Sequence, residues 1–194
     1  ILEISTSTFA VRPTNFLTLT NGTFKLSSPC GTITPFTAAT TLTTSTSIWL
    51  NHASSTLLFG NTITLYSNLR TSAGTLNVGN AANENLIVNG GTVTVDGGNL
   101  NVAGRLARNG LTSRLDFELS SGNVVLGTVG SSTGGEAMFR SDEQGSVFNM
   151  SGGSLTLRRP GASNLGFVST STTNVSVTGG TVFAGDASTP ASQT

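Results

Sequence analysis

The chain has 194 residues, enough to bury a sizeable core, yet only 9% of them are charged and nine Lys and Arg balance nine Asp and Glu. Average soluble proteins carry about 25% charged residues, and a chain that grips phosphate needs a basic face. The adjacent basic pair Arg158-Arg159 reads as a solvated strand end, so no nucleic-acid partner is expected.

Thr, Ser, Asn and 24 Gly stand where charge is missing. These residues suit strand faces and turns better than helix interiors, which predicts an all-β protein. The single Cys30 cannot form an internal disulfide and reads as a small buried or turn residue. No stretch approaches the roughly 18 apolar residues that cross a bilayer, so the chain is not expected to span a membrane by a helix. The opening Ile1-Leu2-Glu3-Ile4 lacks the basic and apolar regions of a signal peptide, which reads as an excised piece or a mature product.

In chain order, six ten-residue segments share one pattern: Leu17–Leu26, Thr56–Leu65, Leu86–Val95, Phe117–Leu126, Phe148–Leu157 and Val175–Ala184. Each reads as a short strand, a corner and a second strand. Alternation at period two puts the pairs Phe24/Leu26, Ile63/Leu65, Val93/Val95, Val124/Leu126, Leu155/Leu157 and Val182/Ala184 on a core face. The corner position is Gly22, Asn61, Gly91, Gly122, Gly153 and Gly180, where a positive φ is expected. Successive corners recur at intervals of 39, 30, 31, 31 and 27 along the chain, the length of one solenoid coil.

Third-strand candidates fill most gaps: Thr32–Thr34 or Ile48–Leu50, Leu76–Val78, Leu100–Val102, Ala137–Phe139 and Leu165–Phe167. The expected fold is therefore a parallel β-helix of about six coils of roughly 27–31 residues, with three short strands per coil. At about 4.8 Å per coil it forms a rod about 30 Å long. One domain is expected over residues 1–186, with an inserted loop at 37–47 and a linker or disordered tail at 187–194. Asn-Gly and Gly-Gly corners are also hairpin signals, so an antiparallel sandwich is the rival; the gapless register and intervals near 30 favour the solenoid.

Chemistry is sparse. Inverting glycoside hydrolysis needs two carboxyl groups about 6.5–9.5 Å apart. The nearest pair, Asp116 and Glu118, places Glu118 outward beside Ile87 and Asn149 of neighbouring coils, with no second acid stacked on it. Asp142-Glu143 and Asp96 read as turn residues. His52 has no Gly-x-Ser-x-Gly elbow to serve, and one His with one Cys is too few for a transition-metal site. No enzyme activity, cofactor or metal is expected. The outward Thr pairs are too broken to form an ice-binding array. Exposed aromatics mark sugar platforms, which makes Trp49, Tyr66 and Phe183 candidates, and Glu118, Asn149 and Tyr66 the expected glycan contacts.

The repeats Asn89–Val95, Gly97–Val102 and Ser151–Leu157 resemble those of bacterial surface β-helix proteins, both autotransporter passengers and the very large gliding and adhesive proteins of Bacteroidota. The resemblance covers about residues 16 to 184. It implies export, an extracellular or cell-surface location, neighbouring repeats in a longer parent chain, and contact with surface glycans or other cell-surface proteins. The expected role is a structural or adhesive rod; a carbohydrate-binding or polysaccharide-cleaving β-helix and a phage or viral fibre are the alternatives.

Overall fold

The computed structural model describes residues 1–5, 17–110, 112–130, 137–158, 167–168 and 174–189. These form β1 (Leu2–Ile4), β2 (Gly22–Leu26), β3 (Gly31–Phe36), β4 (Thr40–Leu42), β5 (Thr46–Phe59), β6 (Ile63–Leu65), β7 (Asn68–Val78) and β8 (Leu86–Val88). They continue with β9 (Thr92–Val102), β10 (Leu106–Arg108), β11 (Asp116–Leu126), β12 (Phe139–Arg140), β13 (Val147–Leu157), β14 (Phe167–Val168) and β15 (Val175–Ala184). No helix occurs among the described residues.

Every strand pairing is parallel, and strands consecutive along one coil do not pair with each other. The chain turns a corner instead and meets its partner one coil later, which is a β-solenoid rather than a run of hairpins. The long strands β7, β9, β11, β13 and β15 each bend once, so each supplies the first and second faces of its coil. The third face is a separate sheet in the order β14-β12-β10-β8-β6-β4.

Alternation decides which side chains enter. On the first face Leu2, Phe24, Ile48, Leu69, Val93, Phe117, Phe148 and Val175 stack in one column. On the second, Ile33, Leu57, Leu76, Leu100, Val124, Leu155 and Val182 do the same. From Phe24 to Leu157 the inward residues are almost all under 5% exposed. Burying each such side chain contributes about 1.5–3 kcal/mol.

The register redraws the repeat. Along the first-face column from Phe24 to Val175, successive members are offset in sequence by 24, 21, 24, 24, 31 and 27. The ten-residue pattern is a corner motif used at three different corners: Gly122, Gly153 and Gly180 join the first face to the second, Asn61 the second to the third, and Gly22 and Gly91 lead into the first. In Thr56–Leu65 the first half is inverted, since Leu57 and Phe59 face inward and are fully buried. Nor are residues 37–47 an insertion: Thr40–Leu42 is a third-face strand and Thr46 begins β5. The extra residues of that coil lie at Asn51–Ser54, where the β5–β7 register breaks.

Positive φ occurs at Gly22, Gly122, Gly153 and Gly180, but not at Asn61 or Gly91; beside the latter it is Gly90 that turns left-handed, at φ 81°. Gly91 is required for another reason, because a Cβ there would lie 2.3 Å from the Ser67 carbonyl oxygen. Asn61 turns its corner through its side chain, whose Oδ1 accepts a 2.7 Å hydrogen bond from the Thr62 amide. At the first-to-second corner the left-handed glycines form a column, Gly74, Gly98, Gly122, Gly153 and Gly180. A Cβ on Gly122 would sit 2.4 Å from the Gly98 carbonyl oxygen of the coil before it.

The tail begins with an ordered turn, the Ser188 amide donating to Asp186 Oδ1 at 2.8 Å and the Thr189 amide to the Asp186 carbonyl at 2.9 Å. Residues 190–194 lie outside the described residues, as do Arg159 and the Leu165-Gly166 portion of one expected third strand.

Candidate functional site

Outward positions form ladders that the coil register fixes. On the first face Glu3, Lys25, Trp49, Arg70, Thr94, Glu118, Asn149 and Ser176 follow one another. Glu118 therefore lies beside Asn149, as the alternation implies, but its other neighbour is Thr94 and not Ile87, which belongs to the third face. The Thr94 hydroxyl reaches Glu118 Oε2 at 3.4 Å. Tyr66 is 37% exposed at the corner entering β7, two coils before β11, so it does not share a site with Glu118 and Asn149.

Trp49 is no open sugar platform. Lys25 and Arg70, its register neighbours on either side, hold their charges 4.3 and 4.7 Å from its ring centroid, and its indole Nε1 donates to Ser72 Oγ at 2.8 Å. These cation–π contacts cover the ring with groups from adjacent coils. Phe183 on β15 is 48% exposed. The Thr pairs at 62/64 and 92/94 occupy different faces, which separates them further than the sequence alone implied.

Asp116 and Asp96 are engaged by arginines. Asp116 takes a fork from Arg114 at 2.8 and 2.5 Å and accepts the Val147 amide at 3.1 Å, so it joins two coils. Asp96 is paired with Arg70; burial works to raise its carboxyl, and hydrogen bonds from Arg70 and Ser72 outweigh that and hold it below the usual range. His52 lies in the widened corner, its Nδ1 accepting the Ser54 amide at 3.2 Å. Cys30 is half-buried against the core, its amide donating to Ser55 Oγ at 3.1 Å. Among the described residues no three His, Cys, Asp or Glu side chains converge as metal ligands.

On the second face two outward rows carry amides, Asn77 and Asn101 in one and Asn99 and Asn123 in the other. Asn101 Nδ2 donates to Asn77 Oδ1 at 2.9 Å, Asn123 Nδ2 to Asn99 Oδ1 at 3.0 Å, and Ser154 Oγ to Asn123 Oδ1 at 2.8 Å. Each bond links one coil to the next.

The third face carries a feature that the sequence does not announce. A concavity of about 230 Å³ is lined by Arg105, Arg108, Asn109, Gly110 and Arg140, with Ile87 and Ala107 between them. Arg108 sits in register with Val88 and is the one charged side chain among the buried described residues, at 8% exposed. Asp142, expected to be a solvated turn acid, is instead half-buried and paired with Arg108 and with Arg140, the latter at 2.9–3.0 Å. Burial works to raise the Asp142 carboxyl; hydrogen bonds from Arg108 and Arg140 prevail and hold it well below the usual carboxylate range. The one signal in the sequence is Arg108 itself, a cation where the Leu106-Ala107-Arg108 alternation calls for an apolar residue.

Comparison with protein-family models, with curated proteins and with solved structures returns no match for this chain. The class that the fold defines is a parallel β-solenoid of about six turns.

Proposed function

We propose that the chain is a structural and adhesive segment of a bacterial surface or secreted protein, a stiff rod of low charge that holds contact regions away from a cell. One observation carries the reading: inward columns on two faces run through successive coils, with ladder pairing between every neighbouring pair from β1 to β15. A rod needs that continuity. The glycine-corner repeats that resemble bacterial surface adhesins support the extracellular or cell-surface setting, with neighbouring repeats, surface glycans or other surface proteins as partners. Incubating the chain with a panel of polysaccharides should give no cleavage products; turnover of any of them would overturn the rod reading.

A second reading, glycan contact along the first face, is favoured by the adjacent exposed side chains of Glu118 and Asn149 beside Thr94. On a glycan array, binding that disappears in Glu118→Gln and Asn149→Ala but persists in Tyr66→Ala would establish it. Equal loss in all three variants would exclude a site confined to that ladder.

A further inference from the structure

We propose that the far edge of β15 pairs, antiparallel, with the same edge of a second copy of this chain, giving a tail-to-tail dimer. This goes beyond the rod reading and stands without it. In β13 the inward residues Phe148, Met150, Leu155 and Leu157 are at most 3% exposed. Their register partners one coil on include Val175, Val177 and Val182, which are 44%, 59% and 45% exposed. Among the described residues β15 pairs with β13 alone, so its other edge is a row of backbone groups with no strand beside it. Edge strands are ordinarily guarded by charge or proline, and Val175–Ala184 contains neither.

The occupant follows from the strand's own pattern, which is two-fold about the corner Gly179-Gly180. Outward from that corner in both directions come Thr178 and Thr181, Val177 and Val182, Ser176 and Phe183, then Val175 and Ala184. Laid antiparallel on a second copy about this point, Val177 faces Val182 of that copy and Val175 faces its Ala184. Every inward residue meets an inward one, and outward Ser176 meets outward Phe183, so the core columns run on from one copy into the other.

The backbone obeys the same symmetry. The Asn174 carbonyl accepts from the Phe148 amide at 3.0 Å, and the Gly185 amide donates to the Leu157 carbonyl at 2.9 Å. Successive strand residues send their N–H and C=O to alternate sides, so Ser176 and Phe183 also bond towards β13, while Val175, Val177, Val182 and Ala184 point away from it. These are the residues that the two-fold sets opposite one another, and a directly opposed pair of this kind exchanges both of its hydrogen bonds. The corner admits the approach because glycine lacks a Cβ: one on Gly179 would lie 2.5 Å from the Ser151 carbonyl oxygen of the coil below, and across the dimer Gly179 meets Gly180. Head-to-tail stacking is matched less well. Within β1 Ile4 already gives its carbonyl to the Ser27 amide, which leaves Glu3 as the strand's outward-bonding residue, and its side chain is charged. An isologous contact closes at two copies. One strand and one coil end are small beside a standard interface, so the dimer should dissociate on dilution.

The test is sedimentation equilibrium of the whole chain over a range of concentrations, repeated with Val177→Lys, Val182→Asp, an equimolar mixture of those two, and Leu2→Lys at the opposite end. A monomer–dimer equilibrium is expected, with no larger species. Val177→Lys and Val182→Asp should each weaken it by about a hundredfold or more, as a buried unpaired charge does. Mixing the two variants should restore dimers, because the two-fold then sets the introduced cation opposite the introduced acid and leaves the unaltered valines facing each other. Leu2→Lys should change nothing. Both valines are exposed in the single chain, so the variants should keep its fold, which melting curves check. A monomer at every concentration, a series of species beyond the dimer, loss of association in Leu2→Lys, or no recovery on mixing overturns the proposal.

Discussion

The middle coils, from Asn68 to Arg108, and the later coils, from Asp116 to Ala184, share one backbone register and differ in what fills it. In the middle coils the inward residues are Leu and Val apart from Thr71 and Arg108, and the first-face column steps evenly from Leu69 to Val93 to Phe117. In the later coils Phe117, Phe139, Phe148 and Phe167 form one aromatic cluster, and the steps to Phe148 and then to Val175 are longer. The added residues do not enter the columns. Val102 and Leu106 are separated by three residues, whereas Leu126 and Phe139, at the same corner of the next coil, are separated by twelve. Insertions are expelled at corners, because a residue added inside a strand would turn its inward set outward.

Ring packing compensates for strand length. The third-face strands β8 and β10 have three residues, and β12 and β14 only two. Phe139 lies 4.9 Å from Phe167 in a stacked pair, and 5.2 Å from both Phe117 and Phe148 edge-on. Phe139→Ala should therefore be the most damaging core change in the later coils, costing about 3–5 kcal/mol. Val93→Ala, which deletes far less from a middle-coil column, should cost clearly less. Urea denaturation of the two variants measures both, and similar losses would mean that the aromatic cluster is not what holds the later coils together.

The glycine column, which runs through both regions, is a different weak point. Gly98 has φ of +67°, and a Cβ there would approach the Gly74 carbonyl oxygen to 2.5 Å. Gly22 has φ of +91°, and a Cβ there would meet nothing within 4 Å. Left-handed backbone alone costs a non-glycine residue about 1–2 kcal/mol, so Gly22→Ala should lose about that much, and Gly98→Ala should lose more because backbone must also move. Equal losses in urea midpoints would show that coil spacing at this corner yields freely.

How much of this is legible in the sequence follows from where periodicity speaks. Alternation in Thr92–Val95, Asn123–Leu126 and Ser154–Leu157 identifies their inward residues, and the coil-length spacing of Gly122, Gly153 and Gly180 marks a true corner column. Alternation does not say which face a strand belongs to. By sequence, Gly22, Asn61 and Gly91 therefore group with corners they do not stack on, while Gly74 and Gly98, the other members of the column, fall outside the pattern. At the site the limit is sharper. Glu118 and Asn149 are register neighbours that alternation can find because both sit in long regular strands, but Arg105, Arg108, Arg140 and Asp142 come together across a third face whose strands are too short to show a period.

That third-face cluster also joins the two regions, since Arg108 belongs to the last middle coil and Arg140 and Asp142 to the first later one. The Asp142 carboxyl is held below its ordinary value in the folded chain. A carboxyl depressed by folding contributes stability that is complete above its unfolded value, about 3.9, and is lost as pH falls below it towards the folded value. Asp142→Asn cannot titrate and lacks the charge, so it should be less stable than the parent at pH 7, and the gap should narrow as pH drops from about 4 to 2. Other carboxyl groups titrate in the same window but do so in both proteins, so the difference between their urea midpoints isolates this one. A gap that stays constant down to pH 2 would mean that the ionised carboxyl does not tie the middle coils to the later ones, and that Arg108 is held in place by packing alone.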